Sequence, residues 1–137
     1  MVNFIEDNSS DFADAAKQKI AEFNALHWDA TARQALGLKR LNAEGELVAA
    51  LAGRTFGNWF YLESLWLAQT ERGRGTGSAL LAQAEAIARD RGCRFVILDT
   101  LAFQARPFYE RFGYQVQWTQ ADYPFEGGAK YFMTKTL

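Results

Sequence analysis

Apolar positions along the chain change their spacing several times, and each change marks an element. Phe12, Ala16, Ile20, Phe23 and His27 recur every three or four residues behind the capping cluster Asn8-Ser9-Ser10-Asp11, which predicts a helix from about Ser10 to His27. From Gln34 to Asn42 the pattern alternates loosely, Glu44-Gly45 is a turn signal, and Glu46 to Phe56 is apolar with small residues, so a hairpin is expected. Gly57-Asn58 separates it from Trp59 to Gln69, a strand in which Trp59, Tyr61, Leu65 and Leu67 carry the strand-forming side chains.

Helical spacing returns at Leu80, Leu81, Ala84, Ile87 and Ala88, and ends with Arg89, Arg91 and Gly92, the charge bias and left-handed cap of a helix carboxyl end. Phe95-Val96-Ile97-Leu98 is apolar without alternation, the pattern of a strand buried on both faces. The stretch from Trp59 through this strand therefore reads as a βαβ crossover with parallel pairing. Pro107 suits the first turn of a short helix that ends at Gly113. Alternation at Tyr114, Val116 and Trp118, and again at Tyr131 and Met133, predicts two closing antiparallel strands that complete a mixed sheet. Nothing marks a linker or a repeat, so residues 1–137 are read as one α/β domain.

Composition narrows the class. With 137 residues, 49% of them apolar, a core is affordable without disulfides or metal. The single cysteine, Cys93, has no partner, which predicts a reducing, cytoplasmic compartment and a packing role at the start of a buried strand. The longest apolar run, Leu47 to Ala52, falls far short of the roughly 18 residues of a membrane span, and the amino terminus lacks the basic start and long apolar stretch of a secretory signal. Fifteen basic against 16 acidic residues leave a net charge of -1, without the basic excess of a nucleic-acid footprint. Aromatics, at 15%, are read as core packing, and are compatible with a homodimer face. His27 is the only histidine; a core or cap role is expected, and no second one exists to build a metal site.

The informative chemistry begins at Arg72-Gly73-Arg74-Gly75-Thr76-Gly77-Ser78. Glycines let backbone approach a ligand closely, and the following helix start presents unpaired amides, so the loop is a seat for an anion such as a pyrophosphate. A Walker loop is excluded, because Gly77 is followed by Ser78-Ala79 where Lys and then Ser or Thr are needed. A dinucleotide fingerprint needs glycine where Ser78 stands, although Asp99 lies about where a ribose-binding acid belongs. A tight connection with solvated arginines is the third reading of the loop.

The loop matches the pattern Arg or Gln, two residues, Gly, any residue, Gly or Ala, and Ala105-Arg106-Pro107-Phe108-Tyr109-Glu110-Arg111-Phe112-Gly113-Tyr114 matches a second pattern, an alanine, an aromatic-Tyr pair, then Gly with an aromatic. On these two segments, in that order and covering about Leu62 to Val116, the chain resembles the GNAT superfamily of acetyl-CoA-dependent N-acetyltransferases. The resemblance implies an acyl-CoA N-acyltransferase fold with a central, mostly antiparallel sheet, one parallel βαβ crossover and flanking helices. It implies that Arg72, Gly73, Arg74, Gly75, Thr76, Gly77 and Ser78 hold the diphosphate of acetyl-CoA. The strand before the loop would splay at a bulge, where the amides of Leu65 and Leu67 bind the thioester carbonyl and the pantetheine arm. Tyr109 would face the sulfur as general acid. Many members carry an asparagine three residues before the alanine; this chain has Ala102 there, and Gln104 is the neighbouring candidate for the missing amide.

Acyl transfer to an amine also needs a neutral nucleophile, and Glu63 is the best-placed carboxylate for a general base, directly or through water. Asp122 and Glu126 are candidates for drawing in a cationic amine. The function implied is acetyl transfer to a primary amine of a small molecule or peptide, by direct attack in a ternary complex and without metal. A non-catalytic acyl-CoA-binding module and a nicotinamide-binding half-domain are the alternatives.

Overall fold

The computed structural model describes residues 2–137 as two compact units, divided between Ala32 and Arg33. The first unit holds α1 (Ser10–Asn24) and a 3-10 turn at Ala30–Ala32. Ser9 caps α1, its hydroxyl oxygen accepting from the Phe12 amide at 3.2 Å. The helix ends three residues before the expected point, and His27 lies beyond it with its ring 5.1 Å from that of Phe23. α1 buries none of its residues, and His27 is itself exposed, so it does not have the core role expected of it.

The second unit contains β1 (Gln34–Leu41), β2 (Leu47–Phe56), β3 (Trp59–Leu67), a 3-10 turn at Gln69–Glu71, α2 (Thr76–Asp90), β4 (Phe95–Leu101), α3 (Arg106–Arg111), β5 (Gln115–Ala121) and β6 (Ala129–Thr136). The six strands form one sheet in the order β1-β2-β3-β4-β6-β5. Only β3 and β4 pair in parallel, joined by α2; the other four pairings are antiparallel. This is the mixed α/β architecture with one crossover that the apolar pattern predicted. Phe60, Leu62, Val96, Leu98 and Met133 from the sheet form the core with Leu81, Ala84 and Ala88 of α2, Tyr109 of α3 and Tyr114.

Two expectations change. β4 is not equally buried on both faces: Val96, Leu98 and Thr100 are buried, whereas Phe95, Ile97, Asp99 and Leu101 are half-buried. Its apolar run serves two environments, the core on one side and aromatic pairs such as Trp59–Phe95 on the other. The aromatics, too, divide. Phe60, Tyr109 and Tyr114 are buried, while Trp59, Trp66 and Trp118 keep 41%, 46% and 60% of their surface exposed.

One polar cluster crosses the core. Glu85 of α2 is buried and accepts from the Tyr114 hydroxyl at 2.8 Å and from Lys135 Nζ at 2.9 and 3.1 Å. Burial, and then the Glu85 charge, hold the Tyr114 phenol far above its ordinary value. Glu85→Leu strands the Lys135 ammonium and the Tyr114 hydroxyl, and should cost about 2–4 kcal/mol, below a fully buried pair because Lys135 keeps 21% of its side chain in solvent. Tyr114→Phe leaves the ion pair intact and should cost about 1–2 kcal/mol. Urea denaturation checks both, and equal losses would remove the ion pair from this account.

Candidate active site

The site begins with a slip in sheet register. β3 pairs with β2, but Leu62 opposes Gly53 and Ser64 opposes Ala52, which leaves Glu63 as the extra residue of a bulge. A Cβ on Gly53 would lie 2.2 Å from the Tyr61 carbonyl oxygen, so only glycine fits against the bulge. The extra residue also inverts the facing of the strand. Phe60 and Leu62 point to the core before it, and Leu65 packs against the core after it.

Beyond the bulge β3 leaves β4. Parallel pairing runs only from Trp59–Phe95 to Leu62–Leu98, whereas β4 continues against β6 to Leu101–Lys130. The Ala68 amide donates to the Val48 carbonyl on β2 at 2.8 Å. Because successive residues of a strand direct their backbone groups to opposite edges, the amides of Leu67 and Leu65 point away from β2, into the gap. Consistent with this, the Leu67 carbonyl accepts from Arg72 Nε at 3.4 Å. The two amides singled out in the sequence are therefore donors at an open strand edge.

That gap is a cavity of about 370 Å³ whose walls include Glu63, Leu65, Asp99, Gln104, Tyr109, Tyr123 and Lys130. Tyr109 is 6% exposed, and burial pushes its phenol up to about 12, so it holds its proton at any physiological pH. Gln104 Oε1 accepts from the Leu101 amide at 2.7 Å and from the Thr100 hydroxyl at 3.4 Å, closing the β4–α3 turn. With Oε1 so engaged, its NH2 is the part of the side chain left to the cavity that Gln104 lines. Glu63 pairs with the Arg54 guanidinium through Oε1, and that guanidinium lies 4.7 Å above the Tyr61 ring. The Tyr61 hydroxyl in turn donates to Asp99 Oδ2 at 3.0 Å. Asp122 and Glu126 do not line this cavity; Asp122 accepts from the Gly127 amide at 3.2 Å in the turn after β5.

A second cavity, of about 230 Å³, lies at the start of α2. Gly73 and Gly75, with φ of 70° and 79°, turn the chain into the helix. The first amide bonded back is that of Ala79, to the Gly75 carbonyl at 3.0 Å, so the amides of Thr76, Gly77 and Ser78 precede the helical ladder. Arg72 and Arg111 both line this cavity. Arg74 does not; its guanidinium donates to the Thr70 carbonyl at 3.2 Å. Glu71 also lines this cavity, and its carboxylate is engaged by protein groups, accepting from the Thr76 hydroxyl at 3.0 Å and pairing with Arg40 at 3.8 Å. Gly77 is there for packing: an added Cβ would sit 3.3 Å from Leu67 Cδ1 and from Phe108 Cε1. Leu65 and Tyr109 line the first cavity, Leu67 and Phe108 the second, so the two adjoin along β3 and α3.

Sequence reasoning missed three residues at these sites. Arg111 reads as an ordinary charge in the last turn of a helix; Asp99 was weighed only as a ribose ligand; Lys130 carried no local signal. What brings them to the cavities is the pairing of distant strands and the docking of α3.

Comparison with known proteins agrees with this geometry. The sequence model of the Acetyltransferase (GNAT) family matches residues 3–114. Blasticidin-S acetyltransferase of Streptomyces morookaense is 39% identical over 94 residues, 68% of each chain. The crystal structure of an acetyltransferase from Bacillus cereus covers 98% of both chains with a TM-score of 0.85 and 28% identity. An aminoglycoside 6'-N-acetyltransferase solved with coenzyme A shares the fold, with a TM-score of 0.65 at 15% identity, covering 99% of this chain and 97% of that one. With its splayed β3 and glycine-turned α2, the chain belongs to the GNAT family of acetyltransferases.

Proposed function

We propose that residues 1–137 form one N-acetyltransferase domain that moves an acetyl group from acetyl-CoA to a primary amine by direct attack in a ternary complex. The observation that carries this reading is the β3/β4 gap, where the Leu65 amide edge, the buried Tyr109 phenol and the Glu63 and Asp99 carboxylates share one cavity. The donor set of the neighbouring cavity fits a diphosphate: the amides of Thr76, Gly77 and Ser78, with Arg72 and Arg111 beside them. A protein of the same fold has been solved with coenzyme A, which supports coenzyme A as the class of ligand. Gly73, Arg74 and Gly75 shape the turn, and Gln104 offers its NH2 to the pantetheine arm.

The thioester supplies the electrophilic carbon. The amide of Leu65, on the same cavity as Tyr109, stabilises the charge that develops on its oxygen as the amine nitrogen bonds to that carbon, while the amide of Leu67, two residues along the strand, holds the pantetheine arm. Glu63, with Oε1 held by Arg54, takes the amine proton through Oε2, directly or by way of a water. As the carbon–sulfur bond breaks, Tyr109 gives its proton to the sulfur. The single thiol, Cys93, is buried in the core, in keeping with a cytoplasmic setting, and no helix among the described residues is long and apolar enough to cross a membrane.

Thiol release from acetyl-CoA, measured with a panel of amines that begins with blasticidin-S, tests the reading. Turnover with at least one amine is expected. Tight cofactor binding without turnover on any of them would indicate a binding module, and NADH binding in preference to acetyl-CoA would indicate a dinucleotide site.

A further inference from the structure

The walls of the β3/β4 gap carry both signs of charge, and they are placed apart. Asp99 pairs with Phe132 and Leu101 with Lys130 in the β4–β6 register, so Lys130 is the diagonal neighbour of Asp99 on one sheet face, with Cβ atoms about 7 Å apart. Asp99 is oriented by the Tyr61 hydroxyl on Oδ2, and among the described residues its other oxygen has no hydrogen bond. Lys130 is half-buried, and among the described residues no carboxylate lies within 4.0 Å of it. Its Nζ sits 4.5 Å from the centre of the Tyr123 ring, which also lines the gap. A partly desolvated ammonium without an anionic partner is costly, and an oxyanion brought by a ligand offsets that cost.

We infer that the acceptor is a zwitterion: an amine that also carries a carboxylate, with its ammonium received beside Asp99 and its carboxylate by Lys130 over the Tyr123 ring. The inference rests on the acetyltransferase reading and specifies its substrate class. A simple polyamine leaves Lys130 facing further positive charge in the same cavity, and the wall rejects it by repulsion. Because the two side chains line one cavity without pairing with each other, an ammonium and a carboxylate carried on one small molecule can be met by both.

Matched acceptors test this: amino acids, the corresponding carboxamides, and the decarboxylated amines, each assayed for kcat/KM with acetyl-CoA. The wild-type protein is expected to favour the carboxylate-bearing member at least tenfold. Lys130→Ala should abolish that preference chiefly through KM, Lys130→Arg should retain it, and Lys130→Glu should shift it toward the decarboxylated amine. Calorimetry should show the N-acetylated amino acid binding at least tenfold more weakly to Lys130→Ala. Turnover without a preference, or a preference that survives Lys130→Ala, overturns this inference alone. A wild-type protein that acetylates blasticidin-S or another amine but none of this panel also overturns this inference alone, and one that acetylates no amine at all overturns the acetyltransferase reading and the zwitterion with it.

Discussion

Replacing Tyr109 with Phe is expected to lower turnover by roughly 10²- to 10⁴-fold while acetyl-CoA affinity stays as it was, the range for losing a positioned proton donor. The change removes one oxygen from a ring held edge-on against Phe108 and Tyr114 at 5.2 and 5.7 Å, so the packing of α3 survives. Steady-state kinetics with calorimetric cofactor titration separate the two quantities, and unchanged turnover would take Tyr109 out of the mechanism. The raised phenol adds a pH signature. Because burial moves it from 10.0 to about 12, the wild-type protein should show no loss of activity assignable to Tyr109 as pH passes 10. The stability sign follows from the same shift. Between these two values the unfolded chain has released the proton that the folded chain keeps, so this group makes the fold less stable as pH rises through the window. A basic limb near 10 in the wild-type protein that vanishes in Tyr109→Phe would contradict the assignment.

The second large effect is expected at Gly75. Its φ of 79° lies where a β-branched residue is strained by about 1–3 kcal/mol, yet an added Cβ meets nothing within 4 Å. Gly75→Val should therefore fold. The strained turn then presents the Thr76, Gly77 and Ser78 amides differently, and the new side chain crowds the cavity they face. Cofactor affinity should fall by at least about 100-fold, since several charge-assisted hydrogen bonds are lost together. Calorimetry against acetyl-CoA, with a melting curve to show a retained fold, checks this; wild-type affinity would mean the diphosphate sits elsewhere. Gly77 is the poorer probe, because a side chain there pushes on Leu67 and Phe108 and confounds binding with stability.

Much of the architecture was legible because its signals are local. Ser9 as a cap, the helical spacing from Leu80 to Ala88, Gly92 behind α2 and Pro107 in the first turn of α3 all act within a few residues of themselves, and each stands where the pattern placed it. The two amides at Leu65 and Leu67 were legible only with the family resemblance, since side-chain type says nothing of where an amide points. The tryptophans show the opposite failure. A large apolar ring predicts burial on average, but Trp59 and Trp118 lie on the sheet face where Phe95 and Phe132 cover them only from one side.

The sequence by itself determined the order of the elements, the single crossover and the glycine turn into α2, because period, caps and positive φ are properties of short stretches of chain. Tertiary structure alone decided which side chains meet in the gap. The bulge at Glu63 sets which way β3 faces, and the β4–β6 register brings Lys130 to Asp99 across 31 positions of chain. Docking of α3 delivers Arg111 and Tyr109 to adjoining cavities. Those choices belong to long-range pairing, where one residue of slip turns every side chain to the other face.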